Sequence, residues 1–194
     1  QGRFHYYEGY SMQEVTFPVR VMKYLGINKL IVSNASGGVN TNYYVGAVAI
    51  ITDHINMFPE HPLRGKNDNR FGPRFVNMSE PYNRNMIAKA KELAKEHNLE
   101  IFDGVYLGLQ GPTFETLAEY RMVINMGADC VGMSTVPEVI VAKHMEMDCF
   151  GVSVITDMGD VDSIDSISHE EVLEAAKSAE PTVRTLIKQL ILNY

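Results

Sequence analysis

Two loop-to-helix junctions with polar side chains lie close together within residues 111–139 (GPTFETLAEYRMVINMGADCVGMSTVPEV). The first places a carboxylate, Glu115, just before an amphipathic helical pattern. The second places Ser134 and Thr135 at the start of another helix, with Glu138 closing a capping box. Free backbone N–H groups and hydroxyls at a helix N-terminus attract anions. The two junctions therefore predict one pocket with an anion-binding side and a carboxylate-bearing side.

The first ten residues, QGRFHYYEGY, carry a second set of side chains suited to an anion. If residues 3–7 are extended, Arg3, His5 and Tyr7 point to one face, because side chains alternate along a strand. An arginine next to a histidine can donate hydrogen bonds to a phosphate. A solvated edge strand is the alternative interpretation of this segment.

Two predicted strands end in residues that could meet a ligand. The buried pattern of residues 28–34 is followed by the turn-like sequence ASGG at 35–38, whose glycines Gly37 and Gly38 permit positive φ and close backbone approach. The buried pattern of residues 149–156 is followed by Asp157, a position where ligand-binding residues lie in open α/β sheets.

These residues must be positioned by alternating strands and helices, which predict an α/β fold with a mostly parallel or mixed β-sheet flanked by helices. Strands are expected at residues 28–34, 45–52, 101–109 and 149–156. Helices are expected at residues 11–26, 82–97, 116–127 and 136–147, and from His169 to about residue 192. The spacing of a serine or threonine and a glutamate predicts capping boxes that begin the first, third and last of these helices at Ser11, Thr116 and Ser168. Pro18 falls inside the first of these helices and is expected to kink or split it, and Pro181 is expected to kink the last one.

Composition limits the classes of function. The chain has 194 residues and a net charge of −7, which argues against a binder of nucleic acid or of a membrane surface. It contains no apolar run long enough for a transmembrane helix. The two cysteines, Cys130 and Cys149, lie in apolar runs and are expected to be buried thiols. The polar loop at 53–75 contains possible metal ligands, but their spacing fits no common template, so no metal is expected.

GPTFET followed by GADCVGMSTVPEV, together with GRFHYYEGY, SNASGGVN and SHEEVL, resembles the trimeric, low-molecular-mass purine nucleoside phosphorylases. The resemblance covers essentially the whole chain and implies one phosphorylase/hydrolase-like domain, residues 1–194. It implies a cytoplasmic homotrimer of purine salvage that cleaves (deoxy)inosine and (deoxy)guanosine to free base and (deoxy)ribose 1-phosphate. Inorganic phosphate is the co-substrate, and no cofactor is implied.

The resemblance also implies a role for individual residues. The phosphate contacts it implies are Arg3, His5, Ala35 (through its backbone) and Ser134. The implied ribose contacts are Tyr7, Met133, His169 and, from a neighbouring subunit, Phe75. The implied base contacts are Glu115, Phe114, Asp157, Gly37 and Val131. Glu115, Asp157 and His5 are the expected catalytic residues. Simple packing or surface positions are the alternatives for Phe114, Met133 and His169.

Two departures from the family pattern leave alternatives open. Where the family usually has Asn, this chain has Asp157, and aspartate at this place resembles the sister methylthioadenosine phosphorylases, which take 6-aminopurines. A methylthioadenosine phosphorylase or a phosphorylase that accepts 6-aminopurines is therefore the alternative activity, whereas Glu115 in its GPTFET context favours 6-oxopurines. The family also begins with a further segment, about the first quarter of its chain, that carries a glycine-rich phosphate loop and another histidine. The present chain is therefore expected to be N-terminally incomplete, and a non-catalytic purine-binding remnant is the alternative from another class.

Overall fold

A five-stranded mixed sheet forms the centre of the part of the chain that the computed structural model describes, residues 2–159 and 169–194. The strands are β1 (Lys29–Gly38), β2 (Val48–Asn56), β3 (Phe102–Gly108), β4 (Cys130–Gly132) and β5 (Asp148–Met158). Their order is β1-β4-β3-β2-β5, and β5 pairs with β1, so the sheet closes into a barrel. The β1–β5, β2–β3 and β3–β4 pairs are parallel, and the β1–β4 and β2–β5 pairs are antiparallel. The predicted mixed α/β fold is confirmed; closure of the sheet was not predicted.

Five α-helices flank this sheet among the described residues: α1 (Met12–Tyr24), α2 (Arg84–Glu96), α3 (Leu117–Asn125), α4 (Val136–His144) and α5 (His169–Asn193). The predicted capping boxes begin α1 at Ser11 and α3 at Thr116. In each, the hydroxyl accepts a hydrogen bond from the backbone N–H three residues later, and the glutamate at that position accepts from the backbone N–H of the cap.

Neither internal proline interrupts its helix. Pro18 lies within α1 and Pro181 within α5, and both helices are continuous, so the expected split is wrong. Buried side chains lie on both sides of each proline, for example Val15 and Val19 around Pro18. Packing of these apolar side chains holds both halves in place and outweighs the loss of one backbone hydrogen bond.

Three predicted segment boundaries are wrong. Residues 35–38 are not a turn but the end of β1, because Gly37 and Gly38 pair with Asp157 and Met158 of β5. β2 begins at Val48 and not at residue 45, and it extends to Asn56 because it pairs with β3.

The third misplaced segment lies near the N-terminus. Residues 3–7 are not a strand, since Tyr6–Glu8 form a 3-10 turn. This turn closes on itself: the backbone N–H of Glu8 donates to the carbonyl of His5, and the Glu8 carboxylate accepts from the backbone N–H of His5.

The core lies between the sheet and the helices packed on it. Its largest fully buried side chains include Tyr82, Tyr106 and Phe150. Cys130 and Cys149 are free and buried, as predicted. Within the described ranges, no helix has both the length and the apolar character needed to cross a membrane.

The N-cap of α2 offers a test of local stability. The Asn83 side-chain oxygen accepts from the backbone N–H groups of Asn85 and Met86, and its nitrogen donates to Asp148 at 2.7 Å. We expect Asn83→Ala to lower the free energy of unfolding by about 1–2 kcal/mol in urea titration, because these groups lose their partner. Asn85→Ala, an exposed neighbour in the same helix, is the matched control. A loss equal to that of the control would contradict the capping role.

Candidate functional site

One cavity of about 360 Å³ collects the chemistry-bearing residues that the sequence singled out. Its walls come from the N-terminal segment, the ends of β1 and β5, the loop before α3, and β4 with the turn into α4. All the predicted site residues except Phe75 and His169 line it: Arg3, His5, Tyr7, Ala35, Gly37, Phe114, Glu115, Val131, Met133, Ser134 and Asp157. The structure thus places both predicted sides of the pocket around a single space.

On the predicted phosphate side, the guanidinium of Arg3 is held by two contacts. Its Nε lies 3.2 Å from both carboxylate oxygens of Glu138, and its Nη1 donates to the carbonyl of Ser33 at 2.7 Å. The Arg3 side chain is only 16% exposed. These contacts fix the direction of the guanidinium and leave Nη2 outside them, so Arg3 is presented to the cavity in one orientation.

His5 and Tyr7 are neighbours in the cavity wall although the segment is not extended. Their rings stack with centroids 4.7 Å apart. Tyr7 also faces Gly111 and Met133: a Cβ on Gly111 would lie 2.4 Å from Met133 Sδ and 3.3 Å from Tyr7 Cδ1. Gly111 has φ +66°, so both its backbone and its surroundings exclude a side chain. This close packing brings the predicted ribose contacts Tyr7 and Met133 together.

The turn into α4 corrects the expectation of free backbone donors. The N–H of Ser134 donates to the Tyr106 hydroxyl (3.2 Å) and the N–H of Thr135 to Glu138 (2.9 Å). The N–H of Val136 donates to the carbonyl of Ser134 (2.7 Å), and the next residue is proline, which has no N–H. These amides are therefore already used, and of Ser134, Thr135 and Val136 it is Ser134 that lines the cavity.

On the predicted base side, two carboxyl groups line the same cavity. Burial raises the pKa of Glu115 to about 7, with smaller contributions from the charges of Asp157 and Glu119. Burial also raises the pKa of Asp157, and hydrogen bonds from Thr156 and Tyr120 oppose this rise. Glu115 therefore changes protonation near neutral pH, and Asp157 retains a proton more readily than an ordinary carboxylate.

Asp157 is held tightly in its position at the end of β5. Thr156 Oγ1 donates to its Oδ1 at 3.0 Å, and the Tyr120 hydroxyl lies 3.4 Å from its Oδ2. A Cβ on Gly37 would lie 2.8 Å from Oδ2, so the glycine allows β1 and this carboxylate to approach. The pairing of β1 with β5 shifts register here, where Ser36 faces Ile155 but Gly37 faces Asp157. Such bulges re-aim side chains beside binding sites.

The two remaining predicted ribose contacts do not line this cavity in the described residues. Phe75 is 87% exposed and borders a different surface depression with His61, Arg64 and Arg74. His169 begins α5, but its side chain lies outside the described part of the structure, as does the predicted capping residue Ser168. The phenylalanine therefore does not reach the cavity of its own chain.

Six cavity residues were missed by the sequence-based prediction: Asn34, Ser36, Pro112, Gly132, Thr156 and Val172. Asn34, Ser36, Gly132 and Thr156 are direct chain neighbours of predicted residues, and Pro112 lies two positions before Phe114, so the end of a strand or a loop was the available indication. Val172 lies one helical turn after His169, and the 3.6-residue period of the helix could have indicated it.

Metal binding finds no support in the part of the chain that the structure describes. No group of three or more His, Cys, Asp or Glu side chains is arranged there to hold a metal ion. His54, in the loop considered for ligands, lies at the end of β2 with its Nδ1 3.1 Å from the Tyr82 hydroxyl. Burial lowers the pKa of His54 to about 4, so this imidazole is neutral at physiological pH.

Comparison with known proteins identifies the family. The family model described as "Phosphorylase superfamily" matches residues 1–192. The chain is 48% identical over 194 residues to purine nucleoside phosphorylase 1 of Bacillus subtilis (strain 168), covering 100% of this chain and 72% of the relative. It is 50% identical over 198 residues to the purine nucleoside phosphorylase of Bos taurus, covering 98% of this chain and 68% of the relative.

A solved structure agrees with the sequence comparisons. The Schistosoma mansoni purine nucleoside phosphorylase in complex with inosine superposes with a TM-score of 0.93 at 43% identity, covering all of this chain and 71% of that one. The chain thus spans about 70% of the length of the proteins it matches. It belongs to the Phosphorylase superfamily and, within it, to the purine nucleoside phosphorylase family.

Proposed function

We propose that this chain carries out the reversible phosphorolysis of purine nucleosides, with (deoxy)inosine and (deoxy)guanosine as preferred substrates, in purine salvage. The observation that carries the proposal is the single cavity that combines Arg3, His5 and Ser134 on one side with Glu115 and Asp157 on the other. Such a cavity suits a ligand with an anionic end and an end that bears hydrogen-bond donors.

In this reaction an oxygen of phosphate forms a bond to the anomeric carbon of the ribose while the bond from that carbon to N9 of the base breaks. The anomeric carbon becomes cation-like, and the bonding electrons move to the departing purine. The protein must hold the phosphate against the sugar, orient the sugar, and stabilise the negative charge that grows on the base. Phosphate is the nucleophile, so the reaction needs no nucleophilic side chain.

On the phosphate side, Arg3 and His5 supply side-chain donors, and the Ser134 hydroxyl and the backbone of Ala35 complete the contacts. Arg3 contributes a fixed positive charge, since Glu138 and the carbonyl of Ser33 hold its guanidinium in place. A preorganised donor set of this kind holds an anion without the cost of reorienting the donors during the reaction. Because the net charge of the chain is −7, phosphate must be bound by a local group of hydrogen-bond donors and not by the overall charge of the protein.

On the base side, Glu115 in its ionised form accepts a hydrogen bond from N1–H of hypoxanthine or guanine and from a 2-amino group. Phe114 packs on the base, and Gly37 and Val131 line the base pocket. Adenine has an acceptor at N1, which would face the carboxylate without a proton between them. Asp157, when protonated, can donate to N7 of the departing base and act as a general acid.

The ribose is oriented by Tyr7 and Met133, by His169 at the 5′-hydroxyl, and by Phe75 of a neighbouring subunit. We propose a homotrimer for this reason. Phe75 is exposed and borders a different depression from the cavity of its own chain, which supports a role in trans. Two buried free thiols and the acidic composition agree with a cytoplasmic location. Inorganic phosphate is the co-substrate, and no further cofactor is proposed.

The proposal is tested by incubating the purified chain with inosine, with and without phosphate, and measuring hypoxanthine and ribose 1-phosphate. We expect both products to form only with phosphate. Release of hypoxanthine without phosphate would instead indicate a hydrolase, and binding of hypoxanthine without turnover would indicate a non-catalytic purine-binding protein. Guanosine and adenosine, tested in parallel, establish the preference for the 6-substituent.

A further inference from the structure

A continuous chain of hydrogen bonds runs from the interior of the sheet to the Ser134 hydroxyl. Inside the sheet, Ser36 Oγ and Ser153 Oγ lie 2.6 Å apart, and Ser153 Oγ lies 2.6 Å from Asn34 Oδ1. The other end of the same amide, Asn34 Nδ2, lies 2.7 Å from Thr135 Oγ1, which is 3.1 Å from Ser134 Oγ. Ser153 and Thr135 are completely buried and do not line the cavity.

The chemistry of the amide fixes the direction of these bonds. An amide oxygen can only accept and an amide nitrogen can only donate. Ser153 therefore donates to Asn34, and its own oxygen accepts from Ser36. The amide nitrogen of Asn34 donates to Thr135. Because Thr135 is fully buried, its hydroxyl proton needs an acceptor, and Ser134 Oγ is the partner that the described residues provide.

Every proton in this series of hydrogen bonds is thus donated in the direction of Ser134. Ser134 Oγ accepts from Thr135, so its own proton is free to donate to a ligand. A phosphate dianion presents acceptor oxygens, and a hydroxyl that rotated to present its lone pairs would repel it. We infer that Asn34 and Thr135 are positioning residues for phosphate, because they hold Ser134 as a hydrogen-bond donor. This inference rests on the proposed phosphorolysis.

The backbone at Thr135 supports the same conclusion independently. Thr135 has φ 69° and ψ −55°, a γ-turn conformation that is rare and strained for a β-branched residue. The conformation is held by the bond from Val136 N–H to the Ser134 carbonyl and by the Glu138 carboxylate at the Thr135 N–H. Strain of this kind persists where surrounding contacts over-determine it, and it clusters at ligand-binding sites.

Replacing Thr135 with Val tests the inference, since valine keeps the β-branched shape and removes the hydroxyl. We expect Thr135→Val to raise the KM for phosphate by about tenfold, because Ser134 is then no longer held as a donor. Loss of the hydrogen bond from Ser134 to the charged phosphate accounts for an effect of this size. The KM for inosine and kcat at saturating phosphate are expected to stay within about twofold of wild type. Thr135→Ser, which restores the hydroxyl, should return the KM for phosphate to near the wild-type value.

Thr16→Val is the matched control. Thr16 is equally buried and its hydroxyl donates to the Met12 carbonyl within α1, outside the cavity lining. This change should leave both KM values unaltered. If Thr135→Val does not yield folded protein, Ser153→Ala is the second variant, because it removes the hydrogen bond from Ser153 to Asn34. This change should raise the KM for phosphate by a few-fold and leave the KM for inosine unaltered.

A double variant separates positioning from direct contact. If Thr135 acts through Ser134, adding Thr135→Val to Ser134→Ala should cause no further rise in the KM for phosphate. Phosphate-dependent thermal stabilisation, measured on the same proteins, reports binding without turnover, so it tests the inference even if the wild type fails to cleave inosine. Equal effects on both substrates, full additivity in the double variant, or no rescue by Thr135→Ser would each overturn the inference.

Discussion

Replacing Glu115 with Ala is expected to lower kcat/KM for inosine by about 100- to 1,000-fold, because the N1–H of the base then lacks a charged acceptor and is left unpaired. The affinity for hypoxanthine should change with pH in the same way as the ionised fraction of the Glu115 carboxyl group. Since burial raises the pKa of Glu115 to about 7, the group is protonated below that pH and can no longer accept from N1–H. The dissociation constant of the wild type should therefore rise as pH falls through about 7.

The pH series is best measured by calorimetry without phosphate, because phosphate itself titrates in this range. Glu115→Ala should bind hypoxanthine weakly at every pH and lack the rise on the acidic side. Glu60→Ala, an exposed glutamate outside the cavity lining, is the control and should behave like the wild type. An unchanged turnover of inosine and guanosine in Glu115→Ala would remove the basis of the base-recognition model.

Replacing Asp157 with Asn should increase the preference for inosine over adenosine, measured as the ratio of kcat/KM values, by about tenfold or more. An asparagine always offers a donor to N7 and O6, whereas an ionised aspartate repels both acceptors and favours a 6-amino group. Thr156 can still donate to the side-chain oxygen, and the Tyr120 hydroxyl can accept from the new amide nitrogen, so the fold should tolerate the change.

The substrate ratio contains its own control, because both nucleosides are tested on the same protein and any loss of folded enzyme cancels. A ratio that stays constant would show that Asp157 does not contact the 6-substituent or N7. A ratio that shifts towards adenosine would reverse the assigned role of the carboxylate.

The sequence predicted the local helix signals, and the resemblance predicted which side chains lie around one cavity, better than the sequence predicted the details of the fold. Its local motifs, such as the capping boxes that begin α1 and α3, depend on neighbouring residues and were placed correctly. The resemblance then pointed to side chains that the structure brings around one cavity although Arg3 and Asp157 are far apart in the chain. Local sequence patterns and long motifs can thus be recognised from the amino-acid sequence alone.

Features that depend on tertiary contacts could not be predicted in this way. Closure of the sheet requires β5 to pair with both β1 and β2. The hydrophobic pattern of β5 does not specify which two strands are its partners. The Ser134 amide donates to Tyr106, which lies 28 positions earlier in the chain. The buried chain of hydroxyl groups was missed for the same reason: Ser36 and Ser153 are separated by 117 positions.

The pairing of β1 with β5 has a consequence for how the molecule is made. Loop closure over such a separation is entropically costly, and contacts between distant segments slow folding. During synthesis the ribosome must release β5 before the barrel can close, and the cavity also needs Val172 of α5. Nascent chains that stop before β5 therefore contain Arg3 and Ser134 but no assembled cavity, so the cavity forms only after β5 and the first turn of α5 have been released and have folded.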